Sequence, residues 1–151
     1  MAPPPDQMTV HASAVTVAGR AVLIMGASGS GKSGLALTLL AYGAQLVADD
    51  RVILTRVGEG LRATAPAAIR GGIEARGVGL LRAEVAEDSP VALVVIMDEM
   101  ETDRLPPRRS KKLLGISLPL LHNTGNALFA PAILQYLKAG IFTDQREPWG
   151  S

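Results

Sequence analysis

Short runs of consecutive apolar residues predict the centre of the fold. Residues 21–25 and 91–97 are uninterrupted apolar stretches, which is typical of strands buried on both faces of a sheet. Residues 45–48 indicate another short strand. Residues 33–42 and 128–139 place apolar side chains at helical spacing and predict helices, the first of them ended by a glycine. The mixture indicates an α/β domain with a central sheet.

The remaining segments give weaker patterns. Residues 9–17 are rich in valine and threonine and predict one strand. Residues 51–57 and 61–64 flank a Gly-Glu-Gly turn and predict a hairpin. Residues 65–79 are punctuated by glycines, so no regular element is assigned to them. Residues 98–117 are charged and contain prolines, which predicts a long mobile loop.

The length of 151 residues predicts a single domain. We expect a flexible tail over residues 1–8, a catalytic domain over 9–140 and a C-terminal tail over 141–151. The N-terminus lacks the basic and then apolar layout of a signal peptide. The longest apolar run is much shorter than the roughly 20 residues that span a bilayer. We therefore expect a cytoplasmic protein without membrane contact.

Composition and charge remove several classes of function. Lys and Arg total 15 and Asp and Glu total 14, for a net charge of +1, which argues against a dedicated nucleic-acid binder. Aromatic residues make up 3% of the chain, too few for base-stacking platforms. Cysteine is absent and histidine occurs twice, so thiol nucleophiles are excluded and a histidine-built metal site is improbable.

A phosphate-binding loop follows the first apolar strand. The pattern G-x-x-x-x-G-K-[ST] is matched without exception between the predicted strand and the predicted helix. Its glycines let backbone N–H groups face phosphate oxygens, while the lysine reaches the terminal phosphates and the final hydroxyl ligates Mg²⁺. The simpler alternative is a glycine-rich turn. The positions concerned are Gly26, Ala27, Ser28, Gly29, Ser30, Gly31, Lys32 and Ser33.

Two adjacent acids, Asp49 and Asp50, follow the short strand at 45–48. The arrangement resembles a Walker B strand end, although it comes only 16 and 17 residues after Ser33. Neighbouring residues at a strand end point in different directions. One carboxylate can therefore assist a metal while the other accepts a proton from an acceptor hydroxyl. The alternative is a solvated turn.

The order of these motifs resembles the HPr serine kinase/phosphorylase family. A histidine, His11, precedes the P-loop strand, and the sequence Leu-Val-Ala-Asp-Asp ends at Asp50. Residues 65–79 match the family's pattern A-P-x-x-[IL]-R-x-x-[IL]-E-x-R-G-x-G. An Asp-Arg-Leu segment follows at 103–105. The resemblance is close from His11 to about residue 81 and weaker beyond it.

This resemblance implies roles for individual residues. Asp50 would accept the serine proton, with His11 beside it to tune that proton. Asp49 would support Mg²⁺ together with Ser33, and Glu74 resembles a second metal-associated carboxylate. Arg104 would steady phosphoryl charge. A structural histidine, a solvated glutamate and a solvated arginine are the alternatives for His11, Glu74 and Arg104.

The resemblance also implies a fold, an activity and partners. The fold expected is a compact P-loop kinase-type domain with a mixed sheet, similar to phosphoenolpyruvate carboxykinase rather than to nucleoside kinases. The activity expected is transfer of phosphate from ATP, with Mg²⁺, to a serine of the phosphocarrier protein HPr or a related carrier. A homo-oligomer, hexameric in the family, is expected. The alternatives are a P-loop small-molecule kinase, with a lid built from the basic residues at 108–112, and a non-catalytic, nucleotide-responsive module.

The chain departs from the family in three respects. Gly34 stands where the family usually has glutamate after the P-loop. Residues 121–126 replace a glycine-arginine-asparagine stretch that is linked to dephosphorylation, and its arginine has no clear equivalent. The typical N-terminal domain is missing, so we expect a short form that comprises the catalytic domain. These departures predict a kinase whose reverse phosphorylase activity is weak.

Overall fold

The computed structural model describes residues 6–142, which form eleven strands and two α-helices. The strands are β1 (Gln7–Val10), β2 (Ala12–Val17), β3 (Arg20–Met25), β4 (Gln45–Ala48), β5 (Val52–Val57), β6 (Gly60–Thr64), β7 (Gly72–Ala75), β8 (Gly79–Arg82), β9 (Ser89–Met100), β10 (Arg109–Leu113) and β11 (Ile116–Asn123). The helices are α1 (Lys32–Ala41) and α2 (Phe129–Ala139), and a short 3-10 turn covers Ala67–Ile69. No helix in this part of the chain is long and apolar enough to cross a membrane.

Nine of the described strands form one mixed sheet, which confirms the predicted α/β class. The order is β1-β5-β6-β9-β3-β2-β4, and the β10–β11 hairpin joins it through β9. Strand β9 runs parallel to both β3 and β11, while the other pairings are antiparallel. Strands β3, β4, β9 and β11 therefore all end at the same edge of the sheet. This edge is where ligands bind in many α/β proteins.

The apolar strands are buried on both sides, as their uninterrupted runs predict. Val22 and Ile24 of β3 pack into the core that the two helices cover, whereas Leu23 faces the core on the opposite side. Leu93 and Val95 of β9 lie on the helical side. All five side chains are fully buried. The two central strands are consequently anchored in the core from both sides.

The single strand predicted over residues 9–17 is in fact two strands. Strand β1 pairs with β5, whereas β2 pairs with β3 and β4. The chain bends at His11 between them, because it changes partners there. Strand β1 also begins at Gln7, inside the stretch predicted to be a flexible tail. Of the two predicted tails, residues 6–8 and 141–142 are described, and residues 1–5 and 143–151 lie outside the described residues.

The long loop predicted over residues 98–117 is wrong at both ends, and besides the hairpin turn only residues 101–108 lack regular structure. Strand β9 continues to Met100, and residues 109–123 form the β10–β11 hairpin. Its turn uses Leu114 and Gly115, both with positive φ angles of 49° and 81°. Three of the charged residues that suggested a loop, Arg109, Lys111 and Lys112, lie on the edge strand β10, where charge is common because one side faces water.

Candidate active site

The P-loop lies between β3 and α1, so the predicted strand and helix around it are confirmed. Gly26 has a φ of 149°, and a Cβ there would lie 2.6 Å from Oγ of Ser30. Gly31 has a φ of 100° and precedes the first helical residue, and its carbonyl accepts the N–H of Leu35 at 2.9 Å. Glycine is needed at both positions, because a side chain would clash at the first and strain the backbone at the second. The N–H groups of the loop therefore lie at the N-terminus of α1, where a bound anion is stabilised.

The side chain of Lys32 folds back against the P-loop. Its side chain is buried, with 7% of the residue exposed. The ammonium donates hydrogen bonds to the carbonyl oxygens of Gly26 at 2.8 Å and Ala27 at 2.9 Å. A buried, hydrogen-bonded cation at this point supplies fixed positive charge beside the phosphate cradle.

Asp49 is the most constrained acid of the site. It is 5% exposed, and its Oδ1 accepts hydrogen bonds from Oγ of Ser33 and from Oγ of Ser13, each at 2.7 Å. Its Oδ2 accepts the backbone N–H of Glu74 at 3.0 Å. Four separate segments of the chain therefore meet at one carboxylate.

The oxygen ligands around Ser33 are suited to a Mg²⁺ ion whose other ligands come mainly from phosphate. A serine hydroxyl and a carboxylate, both hard oxygen ligands, lie next to the phosphate cradle. The described residues contain no cluster of three or more His, Asp or Glu side chains that would hold a metal alone. Mg²⁺ characteristically uses one or two protein carboxylates together with substrate phosphates and water. Glu74 adds its carboxylate to the wall of the same cleft.

Asp50 points away from Asp49 because of its backbone. Its φ of 72° is in the left-handed region, which Asp tolerates better than most residues and which turns the chain sharply into β5. Its Oδ1 lies 3.1 Å from Nε2 of His11, and its Oδ2 lies 3.6 Å from Nε of Arg51. The Asp50 side chain is 60% exposed, so an acceptor hydroxyl can reach it. The two neighbouring acids are thereby separated into a buried and an accessible carboxylate.

A cleft of about 350 Å³ brings most of the predicted residues together. His11, Lys32, Ser33, Asp50 and Glu74 all line it, along with much of the P-loop. Asp49 lies beneath this surface and accepts a hydrogen bond from Ser33, which lines it. The cleft thus combines an anion cradle, a fixed cation and an accessible carboxylate with a histidine partner. This set is suited to phosphoryl transfer, in which positioning and electrostatics dominate.

Arg104 is not among the residues that line this cleft. It is exposed, in the connection between β9 and β10. Glu101 at the start of that connection accepts hydrogen bonds from Nε and Nη2 of Arg109 at its end, at 3.2 and 3.0 Å. These bonds hold the pKa of Glu101 below its usual value. Arg76, which the sequence analysis left without a role, is the exposed arginine that does line the cleft.

Two further residues of the site escaped the sequence analysis. Oδ2 of Asp98 accepts the N–H of Ala27 at 2.8 Å and fixes the start of the P-loop. The apolar run at 91–97 ends on this acid, which is the ordinary Walker B pattern and would have indicated it. Ser13, which supports Asp49, lies in an unremarkable strand and has no comparable sequence signal.

The fold and the cleft define a P-loop domain of mixed α/β architecture. The family model described as the HPr serine kinase C-terminal domain matches residues 5–122. The chain therefore belongs to the HPr serine kinase C-terminal domain family.

Individual relatives agree with this assignment. The HPr kinase/phosphorylase of Caldanaerobacter subterraneus subsp. tengcongensis is 37% identical over 128 residues, which is 76% of this chain and 42% of that protein. The HPr kinase/phosphorylase of Chloroherpeton thalassium is 36% identical and matches 74% of this chain and 36% of its own length. The chain thus spans about two fifths of these curated relatives. The solved structure of the Hpr(Ser) kinase/phosphatase from Coxiella burnetii superposes with a TM-score of 0.74 at 29% identity, covering 87% of this chain and 93% of that one.

Proposed function

We propose that this domain transfers the γ-phosphoryl group of ATP to a serine of HPr or a related phosphocarrier protein. The observation that carries the proposal is the pairing of Asp50 with His11 at the mouth of the P-loop cleft, in a member of this family. Nucleotide binding without transfer would give this accessible carboxylate no hydroxyl to deprotonate, whereas a small hydroxylated acceptor would use it as a serine does, so the choice of acceptor rests on the surface described below.

Different residues of the site would accept the serine proton, stabilise the phosphate charge and bind Mg²⁺. Asp50 accepts the proton of the serine hydroxyl as its oxygen attacks the γ-phosphorus, and His11 orients that carboxylate. Lys32 and the loop N–H groups offset the charge that moves onto the bridging oxygen of ADP. Ser33 and Asp49 would hold Mg²⁺, which supplies Lewis-acid neutralisation of the phosphates when bound. Glu74 would orient ligands of the metal from the cleft wall.

The surface beside the cleft favours a protein as the acceptor. Strand β7 carries Glu74 into the cleft and pairs with β8, which is exposed along its whole length. Val78 and Leu80 in this hairpin are 75% and 83% exposed. Exposed large apolar side chains next to a reaction centre are typical of surfaces that contact another protein. A small-molecule acceptor would need no such surface.

A panel of acceptors tests this choice. Purified protein, ATP and Mg²⁺ are incubated with HPr or with small hydroxylated compounds, and ADP formation is followed. We expect ADP formation that depends on HPr and that is lost when the acceptor serine of HPr is replaced by alanine. ADP formation with a small compound and not with HPr would identify a small-molecule kinase.

Leu80→Asp is expected to weaken use of HPr without altering the chemistry. A carboxylate at this exposed position disfavours apolar contact with the acceptor, so KM for HPr should rise about tenfold while kcat at saturation and KM for ATP stay unchanged. Val57→Asp is the matched control, because Val57 is also exposed and apolar (57%) but ends β5, which pairs with β1 and β6 and not with the β7–β8 hairpin. An equal effect of both substitutions would show that β8 does not contact the acceptor.

The reverse reaction is expected to be weak. Phosphorolysis places inorganic phosphate beside phosphoserine, and this anionic charge must be offset by cations or N–H groups. Residues 121–126 form the end of β11 and the following turn, and they contain no arginine. Release of phosphate or pyrophosphate from phosphoseryl-HPr, at millimolar phosphate, measures it. Dephosphorylation as fast as phosphorylation would contradict this expectation and direct attention to Arg76 and Arg104.

The family resemblance adds further parts to the proposal. We propose a homo-oligomer, hexameric as expected from the family, and a cytoplasmic location where HPr is available. Size-exclusion chromatography with light scattering measures the assembly directly.

A further inference from the structure

A separate cavity lies between the β10–β11 hairpin, the β9–β10 connection and the C-terminal end of α2. Its volume is about 480 Å³, which is within the range of small-molecule sites. Among the described residues, none that lines this cavity also lines the P-loop cleft. The cavity is therefore not an extension of the reaction site.

The floor of the cavity is the part of the hairpin that extends beyond the helices. Side chains alternate along a strand, so Ser117, Pro119 and Leu121 of β11 lie on one face. Leu121 packs into the core that the helices cover, whereas Ser117 and Pro119 are exposed. Ser110 of β10 pairs with Pro119 and belongs to the same face. The floor thus combines apolar surface with two hydroxyl groups.

The two walls come from different elements. Pro106 and Pro107 form one wall, and their rings restrict the backbone of the β9–β10 connection. The ion pair between Glu101 and Arg109 joins the two ends of this connection, and the Glu101 side chain is only 8% exposed. The half-buried ring of Tyr136, near the end of α2, lies on the opposite wall. A ligand between the walls would contact proline and aromatic surface.

Arg108 supplies the unpaired charge of the cavity. It is exposed, and no carboxylate of the described residues forms an ion pair with it. Glu101 is the one acid among the described lining residues, and Arg109 neutralises it. Burial raises the pKa of the Tyr136 hydroxyl, while the positive charge of Arg108 acts in the opposite direction, so the guanidinium and the phenol are near each other. The cavity thus has a cation beside an aromatic ring.

We propose that this cavity is a binding site for a small organic monoanion, a carboxylate that carries an apolar or aromatic body. The planar guanidinium of Arg108 presents paired N–H donors to a carboxylate, and the hydroxyls of Ser110 and Ser117 offer further donors. The apolar body lies against Tyr136 and the prolines of the wall.

A single negative charge matches this lining better than a phosphate dianion does. A phosphate ester needs several cations or N–H donors around its oxygens, and Arg108 is the one unpaired cation among the described lining residues. The rest of the surface is largely leucine, isoleucine, proline and tyrosine, where a second charge would lose hydration without a partner.

Calorimetry with a matched pair of probes tests the assignment. Phenylbutyrate carries a carboxylate and an aromatic body, and phenylbutanol has the same body without the charge. Wild-type protein is titrated with each probe, in the presence and in the absence of Mg·ADP. We expect phenylbutyrate to bind with a Kd below about 1 mM, phenylbutanol to bind about tenfold or more weakly, and Mg·ADP to alter neither affinity.

Two substitutions separate the charge from the cavity. Arg108→Gln, at an exposed position, should weaken phenylbutyrate about tenfold and phenylbutanol less than about twofold. Ser117→Trp fills the floor from an exposed strand position and should weaken both probes about tenfold or more. Arg82→Gln is the control, because Arg82 is exposed on β8 and does not line the cavity, so both affinities should stay unchanged. Thermal unfolding verifies that each variant is folded.

Several results would overturn the assignment. They are equal affinities for the two probes, phenylbutyrate binding that Arg108→Gln leaves unchanged, and no binding of phenylbutyrate at millimolar concentration. Displacement of phenylbutyrate by Mg·ADP would place the probe in the P-loop cleft and would equally overturn it. If Ser117→Trp fails to fold, Arg108→Gln still decides the question. Neither HPr nor turnover enters the test, so its result is independent of the proposed function.

Discussion

Replacing Lys32 by alanine is expected to lower the rate of phosphoryl transfer about 10²- to 10³-fold. The ammonium is the fixed cation of the cleft and lies against the P-loop carbonyls of Gly26 and Ala27. During transfer, negative charge moves onto the oxygen that bridges to ADP, and no other lysine lines the cleft in the described part of the chain. Steady-state kinetics with HPr and ATP measure the loss as a fall in kcat.

The control for this variant is a test of folding. Lys32→Met keeps most of the aliphatic stem, so thermal unfolding should remain close to that of the wild type while the rate falls as for Lys32→Ala. Near-normal transfer by either variant would show that the P-loop assignment is wrong.

Asp50→Asn is expected to reduce transfer about 10²- to 10⁴-fold while ATP binding survives. The amide keeps the shape of the side chain but cannot accept the serine proton. Asp50 lines the cleft with a largely exposed side chain, whereas Asp49 is the acid bonded to Ser33, so the charge of Asp50 contributes little to nucleotide binding. Pre-steady-state transfer to HPr and calorimetric titration with ATP separate the two effects.

The neighbouring acid is the matched control. Asp49→Asn removes charge next to Ser33, so it should raise the Mg²⁺ concentration needed for half-maximal rate. If Asp50→Asn raised only the Mg²⁺ requirement and Asp49→Asn abolished turnover at saturating Mg²⁺, the two roles would be reversed.

The parts of the fold that depend on local sequence were predictable. Strands β3 and β4 follow from uninterrupted apolar residues, and the loop between β3 and α1 follows from its glycines and lysine. The paired acids after β4 could be placed near the P-loop because parallel strands end at one edge of a sheet. The different directions of Asp49 and Asp50 were also expected from strand geometry, although the positive φ of Asp50 was not.

The parts that depend on distant pairing were not predictable in the same way. Residues 109–123 contain charges and a proline, and they become strands because β9 offers an edge to β11. His11 interrupts the strand predicted over 9–17 because β1 and β2 have different partners. Ser13 supports Asp49 only through tertiary contact. The position of Arg104 outside the cleft likewise depends on how the β9–β10 connection folds.

The most direct test of the central claim is mass spectrometry of HPr after incubation with this protein, ATP and Mg²⁺. We expect one added phosphoryl group, acid-stable and located on a serine, with wild-type protein and almost none with Asp50→Asn. Acid-stable phosphate is diagnostic because phosphohistidine is lost in acid. HPr that remains unmodified, although the protein binds Mg·ATP, would contradict the account.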